Sequence, residues 1–190
     1  MRNAEAVIRR APGGAPGGEG DVGELLWAPW RMEFIAGERE LGCLFCRTGR
    51  PGGDDARNYV LWRGREAFVI LNRFPYSNGH LMVAPYRHEG ALANLGAEEG
   101  AEILALAGRC ATALEGALRA EGFNLGFNLG KVAGAGVQDH LHLHVVPRWA
   151  GDTNFLPVIG ETRVMPEYLG VTFQKLVPHF QEVGGRRGAG

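Results

Sequence analysis

The chain has 190 residues and a net charge of −1, with 45% hydrophobic and 22% charged residues. These values are typical of a soluble globular domain, and a nearly neutral chain has no electrostatic reason to bind nucleic acid or a membrane as a whole. No apolar run approaches the roughly 18–20 residues that a membrane span requires. Any anion that the protein binds must therefore be met by a local site.

Both ends of the chain are rich in glycine and have little to bury. We expect residues 1–22 to form a flexible leader, without the apolar core of a secretory signal, and residues 184–190 to form a flexible tail. No repeat, linker or change of composition divides the part between them. Residues 23–183 are therefore predicted to form a single domain.

The first half of the chain predicts three strands. Residues 59–63 and 67–72 are β-branched and aromatic runs separated by Gly64, which indicates a hairpin. After a turn rich in Pro, Ser, Asn and Gly, residues 80–85 form the third strand. Upstream, the apolar and aromatic residues 25–32 predict a short helix or turn.

The second half predicts one long helix followed by two more strands. Apolar residues recur at helical spacing over 98–119, and Gly122 is the expected end of this helix. Residues 123–130 alternate as a strand, a histidine-rich strand follows over 138–148, and residues 166–182 are a candidate terminal helix. Because strands come as a cluster, then a helix, then strands again, we predict an α+β domain. Its antiparallel sheet has about five strands, with the long helix packed on it.

Three of the six histidines alternate with aliphatic residues in the stretch 138–148. Because successive side chains of a strand point to opposite faces, His140, His142 and His144 are expected to share one face. Imidazole has an ordinary pKa near neutral pH and serves as nucleophile, acid, base or metal ligand. Packing or solvent exposure alone explains three such rings poorly.

Two kinds of chemistry fit this histidine face. The first is a catalytic metal site, because His-x-His on one strand can supply two ligands and the third histidine another. The second is nucleophilic catalysis at phosphorus, in which the middle imidazole attacks and its neighbours orient it and the phosphate. A glycine-rich loop over residues 128–136 comes directly before the histidines. Its backbone N–H groups can hold an anion, which favours the second alternative.

The cysteines are three in number: Cys43, Cys46 and Cys110. An odd count in a chain of this length favours a reducing, cytoplasmic protein over a disulfide framework. Cys43 and Cys46 form a Cys-x-x-Cys pair that is a candidate for metal binding or redox chemistry, with a pair of small apolar residues as the alternative. Cys110 falls in the long helix and is expected to be buried.

Residues 140–146 resemble the signature of the histidine-triad (HIT) superfamily, His-φ-His-φ-His-φ-φ, in which φ is an apolar residue. The resemblance extends over about residues 25–170. It includes residues 72–75, Gly79-His80, the glycine-rich loop, residues 147–149 and Gly151-Asp152. The opening at residues 27–31 and the pair Asn154-Phe155 are similar to bacterial members related to diadenosine tetraphosphate phosphorylases and hydrolases.

The resemblance implies a nucleotidyl transferase or hydrolase that acts as a homodimer. Its substrate would be a purine nucleotide or a dinucleoside polyphosphate such as diadenosine tetraphosphate. In the family the middle histidine, here His142, attacks the α-phosphorus, and water or phosphate then releases the nucleotide. His144 is implied to contact the phosphate, and the backbone carbonyl of His140 to orient His142. A nucleoside phosphoramidase and a non-catalytic, zinc-stabilised nucleotide-binding module are the alternatives.

Further roles follow only from the same resemblance. Asn72 is implied to bind the ribose and Asn128 to lie near the leaving group. The loop residues implied to line the phosphate are Gly134, Ala135 and Gly136. Relatives often have Ser or Thr three or four residues before the first histidine, where this chain has Gly136 and Val137. The missing hydroxyl leaves the choice between water and phosphate open.

The resemblance also implies a zinc site. Several members of the superfamily pair Cys-x-x-Cys with a histidine after the third strand and with the first histidine of the triad. The matching residues here are Cys43, Cys46, His88 and His140. The zinc would be structural, because it would lie beside the reacting groups without taking part in the reaction. His80 is expected to make a structural hydrogen bond beneath the site.

Overall fold

The computed structural model describes residues 42–152 and 167–185, except for the side chains of residues 182–185. The predicted leader, the apolar segment at 25–32 and the pair Asn154-Phe155 therefore lie outside the described residues. Within the described part of the chain, no helix is both long enough and apolar enough to cross a membrane.

The described residues form a five-stranded antiparallel sheet with helices packed on it, which confirms the predicted α+β class. The strands lie in the order β1-β2-β3-β5-β4, and each pairs with its neighbours in antiparallel register. The elements in chain order are α1 (Leu44–Gly49), α2 (Asp55–Asn58), β1 (Val60–Arg63), β2 (Ala67–Leu71), β3 (Leu81–Pro85), α3 (Ala97–Leu118), β4 (Gly122–Phe127), β5 (Leu143–Arg148) and α4 (Leu169–Gly185).

Both faces of the central strands are buried, because alternate side chains of each strand enter two separate clusters. Val69 and Leu71 of β2 belong to the main core, beneath α3 and α4, together with the fully buried Cys110. Phe68 and Ile70 of the same strand belong to a smaller cluster on the opposite face. The triad histidines and α1 lie on that second face, so the main core forms the base on which the site is built.

The last strand is shorter than the sequence indicates. β5 begins at Leu143, and its pairing with both β3 and β4 reaches no further than that residue. The chain before it bonds elsewhere: the Leu141 N–H donates to the Glu89 carbonyl at 2.7 Å. Gly90 lies so close to residues 138–139 that a Cβ there would come within 2.8 Å of the Gln138 carbonyl oxygen. These contacts with the segment after β3 replace the sheet pairing predicted for residues 138–142.

Three other boundaries differ from the predictions. Helix α3 ends when Arg119 adopts a left-handed conformation with φ of 55°, and Gly122 is instead the first residue of β4. β4 itself ends at Phe127, so that residues 128–130 belong to the loop. The terminal helix runs over Leu169–Gly185 and therefore includes the first two residues assigned to the tail.

Candidate active site and metal centre

The three triad histidines are buried, but each ring has different partners. Their side chains are 1%, 6% and 7% exposed for His140, His142 and His144. His140 turns towards the cysteines, His142 bonds to the backbone, and His144 bonds to His80. They therefore belong to two distinct centres on the same face of the sheet.

The first centre is a cluster of two cysteines and two histidines whose ligand atoms all lie within 4.8 Å of one another. The His140 Nδ1 atom lies 3.4 Å from Cys43 Sγ, 3.5 Å from Cys46 Sγ and 3.3 Å from His88 Nδ1. Cys46 Sγ lies 3.1 Å from His88 Nδ1. In the described part of the chain, this is the only group of three or more such residues arranged to hold a metal ion.

The cluster fits a tetrahedral zinc ion. Four N and S ligands at about 2.0–2.3 Å from zinc lie roughly 3.3–3.8 Å from one another. The four separations given above, from 3.1 to 3.5 Å, are close to these values. His140 Nε2 lies 2.9 Å from the Pro85 carbonyl oxygen, an acceptor, so Nε2 carries the ring proton and Nδ1 is unprotonated. Burial lowers the pKa of His140, which also favours the neutral ring that a metal requires. Hydrogen bonds alone do not explain one nitrogen surrounded by three ligand atoms.

The second centre begins with His142. Its Nδ1 atom lies 2.9 Å from the His140 carbonyl oxygen and must therefore donate a proton to it. The Nε2 atom of the neutral ring is consequently unprotonated. Burial lowers the pKa of His142 more than the bond to the carbonyl raises it, so the ring is neutral at pH 7. A neutral imidazole with a free nitrogen is a competent nucleophile.

The ring protons of His80 and His144 are fixed by a chain of hydrogen bonds. The Tyr76 backbone N–H donates to His80 Nδ1 at 3.1 Å, and the Asn72 amide nitrogen lies 3.2 Å from the same atom. His80 Nδ1 is thus the acceptor, and its Nε2 carries the proton. That proton is donated to His144 Nδ1 at 2.9 Å, which leaves the His144 proton on Nε2. His80 therefore makes the hydrogen bond beneath the site that the sequence predicts.

The His144 Nε2–H group is buried and has no hydrogen-bond partner among the described residues. An unsatisfied buried donor costs about 1–3 kcal/mol, so its presence points to a ligand that accepts a hydrogen bond. The His144 ring lies next to His142, with ring centroids 4.8 Å apart. An unprotonated nitrogen and an unpaired donor are thus adjacent, which suits an electrophile that carries an anionic oxygen.

We expect the folded protein to lose stability as the pH falls below 6.5. Burial, with the charges of His144 and His142, lowers the pKa of His80 to about 3, and burial with the charge of His142 lowers that of His144 to about 4. The unfolded chain takes up these protons near pH 6.5 and the folded chain does not. Each histidine therefore contributes stability that is complete above pH 6.5. That stability is lost on acidification at up to about 1.4 kcal/mol per pH unit.

Urea unfolding between pH 7.5 and 4.5 measures this slope in the wild type and in His80→Asn. The groups that face His80 are the rings of His144 and Tyr76 and the Asn72 amide, so no carboxylate in this set compensates the charge. The variant should show a shallower slope, because one buried histidine has been removed. Parallel slopes would contradict the assignment.

The residues implied to bind nucleotide make no hydrogen bond to His142 or His144 in the described part of the chain. The Asn72 side chain also accepts a hydrogen bond from the Phe74 N–H at 2.9 Å, and the Asn128 amide donates to the Tyr76 hydroxyl at 3.1 Å. The glycine loop turns at Gly130 and Gly134, with φ of 83° and 86°. Across residues 128–144, no hydrogen bond joins Gly134, Ala135 or Gly136 to a triad histidine. Their role as phosphate contacts therefore stays a prediction.

Two residues of the site are not identified from the sequence. Tyr76 stacks on His144, with centroids 5.6 Å apart and planes 26° apart, and also lies against His80. Phe45 lies against the rings of His142 and His140, with centroids at 4.7 and 5.2 Å. Both are aromatic residues in a turn or a short helix. No periodicity marks them, although Phe45 lies between the two cysteines.

The chain is similar to known proteins over most of its length. A family model described as the HIT domain matches residues 55–151. The chain is 38% identical over 159 residues to a protein named AP-4-A phosphorylase from Mycobacterium tuberculosis, an alignment that covers 80% of this chain and 82% of that one. An uncharacterized HIT-like protein from Saccharolobus solfataricus is 29% identical over 133 residues, or 67% of this chain and 91% of that protein.

A solved structure is similar as well. The crystal structure of a zinc-bound histidine triad family protein from Mycobacterium smegmatis superposes with a TM-score of 0.61 at 28% identity. The superposition covers 75% of this chain and 95% of that protein. The family model, the relatives and the five-stranded fold confirm the resemblance noted in the sequence: the chain belongs to the histidine-triad (HIT) family.

Proposed function

We propose that the protein cleaves dinucleoside polyphosphates, such as diadenosine tetraphosphate, at the α-phosphate through a nucleotidyl intermediate on His142. The observation that carries this proposal is the pairing of an unprotonated His142 Nε2 with the unpaired Nε2–H donor of His144. The 38% identity to a protein named AP-4-A phosphorylase supports the substrate class. The reaction is then a displacement at phosphorus in two steps.

In the first step the lone pair of His142 Nε2 forms a bond to the α-phosphorus while the bond from that phosphorus to the bridging oxygen breaks. With diadenosine tetraphosphate the leaving group is ATP, which takes the bond electrons as an anion. The His140 carbonyl stabilises the positive charge that develops on the His142 ring, because it accepts the Nδ1 proton at 2.9 Å. The His144 donor stabilises the charge on the phosphoryl oxygens.

In the second step an acceptor displaces His142 from the phosphorus. Water gives AMP and releases a proton, whereas inorganic phosphate gives ADP. Val137 packs against the smaller apolar cluster, which contains Phe45 and Phe68, and Gly136 is exposed, so neither offers a side-chain donor to an acceptor. Asn128 is the polar side chain proposed to face the leaving group, and Asn72 the one proposed to meet the ribose.

The metal centre has a structural role in this proposal. A zinc ion held by Cys43, Cys46, His88 and His140 would supply a cross-link between distant parts of the chain. The homodimer and the cytoplasmic location remain proposals, based on the family resemblance and on the cysteine count.

Incubation with diadenosine tetraphosphate, with and without inorganic phosphate, tests the proposed reaction. We expect ATP under both conditions, because the first step does not involve the acceptor. If phosphate is the acceptor, ATP without phosphate stops at one equivalent per site, and the protein retains the nucleotidyl label. Added phosphate then restores turnover with ADP as the second product. If water is the acceptor, AMP accumulates without phosphate. Chromatography of the products and mass spectrometry of the protein distinguish these cases.

Two results would contradict the proposal. Nucleotide binding without ATP release and without labelled His142 would indicate a non-catalytic module. An initial rate on a nucleoside phosphoramidate more than about tenfold above that on the dinucleotide would indicate a phosphoramidase. The same preparation serves for both measurements, so that differences in folding do not enter the comparison.

A further inference from the structure

Phe45 connects the two centres of the site. It lies between Cys43 and Cys46 in α1, and its side chain is 1% exposed. The cysteine sulfur atoms face His140 and His88, while the Phe45 ring packs against His142 with centroids 4.7 Å apart and planes 30° apart. Helix α1 and Cys43, the residue that caps its start, thus contribute two of the four metal ligands and the aromatic ring that packs on the proposed nucleophile.

The His142 ring depends on side-chain contacts for its position. Sheet pairing reaches only to Leu143, so the His142 backbone lies just beyond the region that the strands hold. Three contacts orient the ring: the hydrogen bond from Nδ1 to the His140 carbonyl, the edge of His144, and the face of Phe45. Phe45 is the one of these three contacts that belongs to α1, so α1 can influence the orientation of the His142 ring through it.

Helix α1 has little stability of its own. It spans six residues, far fewer than the roughly 12–15 that an isolated helix needs in water. Its last turn is held by the Arg63 guanidinium, which donates to the carbonyls of Thr48 and Gly49 at 3.0 and 2.9 Å. At its start the attachments are Phe45 and the two cysteines. A bound ion would therefore fix the end of the helix from which Phe45 projects.

We propose that Phe45 is a positioning residue that couples the occupancy of the Cys43–Cys46–His88–His140 metal centre to the orientation of the His142 ring. A bound metal holds the start of α1, α1 holds Phe45, and Phe45 holds His142 with Nδ1 directed at the His140 carbonyl. The significance of His142 rests on the proposed function, whereas the coupling itself does not depend on any substrate.

The test uses the full chain labelled with ¹⁵N in the histidine rings, in the metal-loaded and the chelator-treated state. In the loaded wild type, His142 should show one protonated and one unprotonated ring nitrogen, as the bond to the His140 carbonyl requires. Phe45→Leu, with one metal per chain retained, should show averaged His142 signals, because the leucine no longer confines the ring. Chelation should average the wild-type signals and change those of the variant little further. The kcat of metal-loaded Phe45→Leu should fall about 10–100-fold, with its KM changed less than about threefold.

Phe68→Leu is the matched control. Phe68 belongs to the same apolar cluster and lies against Phe45 at 6.5 Å, but its ring contacts are with Phe45 and Tyr86. The Phe68→Leu variant removes the same atoms from the cluster as Phe45→Leu. It should keep one protonated and one unprotonated ring nitrogen on His142. The proposal is overturned if loaded Phe45→Leu keeps the wild-type His142 signals, or if Phe68→Leu averages them equally. It is also overturned if folded, chelated wild type keeps them. The histidine signals and the metal content are measured without substrate, so the coupling can be judged even if the proposed reaction fails.

Discussion

His142→Ala is expected to fold normally and to lose turnover of diadenosine tetraphosphate by a factor on the order of 10⁴–10⁶, the range seen when residues of a catalytic nucleophile system are removed. The alanine leaves no atom to form the bond to phosphorus, and His144 can still donate a hydrogen bond but cannot attack, since its Nε2 carries the proton. The loss should lie in kcat, because His142 contributes mainly after the substrate has bound. Steady-state ATP release measures it.

A matched control removes a histidine elsewhere. His179 lies on α4 against Gly116 of α3, and His179→Gln should retain wild-type turnover. His142→Gly with added imidazole provides a complementary experiment, because free imidazole can enter the space and attack in place of the side chain. Turnover of His142→Ala within tenfold of the wild type would show that another group forms the bond to phosphorus.

The local patterns in the sequence account for most of the fold. The hairpin at Gly64 and the 22-residue helix α3 were predicted within two residues, because their periodicity is set by neighbours in the chain. The start of β5 was wrong by five residues. Alternation of histidine and leucine predicts a strand, but the backbone of residues 138–142 pairs with the segment after β3 instead. That competition between partners is not encoded in local periodicity.

The sequence likewise predicts only part of the candidate site. The residues of the metal cluster were expected together only through the family resemblance, since Cys43 and His140 are 97 positions apart. Alternation placed His142 and His144 on one face, but the assignment of their protons needed His80, Tyr76 and the His140 carbonyl in three dimensions. The sequence does not identify Phe45 and Tyr76, because stacking on a histidine depends on the position of a turn or a short helix in the folded protein. The reactive difference between the histidines is therefore a tertiary property.

Removing a ligand of the metal centre should lower the free energy of unfolding more than removing a surface side chain does. We expect Cys46→Ser to lose its zinc and roughly 4 kcal/mol of stability, at the upper end of single substitutions. At about 2–4 °C per kcal/mol for a chain of this size, Tm should fall by roughly 8–16 °C. The serine hydroxyl is a weak zinc ligand, and without the ion α1 is no longer joined to His88 and His140. The main core beneath α3 should keep the protein folded at 25 °C.

Metal analysis together with thermal unfolding tests this expectation. Cys110→Ala is the matched control, because Cys110 is fully buried in α3 within the main core and is not part of the metal cluster. This variant should lose about 1 kcal/mol and keep one zinc per chain. A chelator should lower the Tm of the wild type and of Cys110→Ala to a similar extent, and should leave that of Cys46→Ser unchanged, because only the first two contain an ion to remove. Equimolar zinc in Cys46→Ser would show that Cys46 is not a ligand of the ion. A Tm within about 2 °C of the wild type would show that the metal centre contributes little to the stability of the fold.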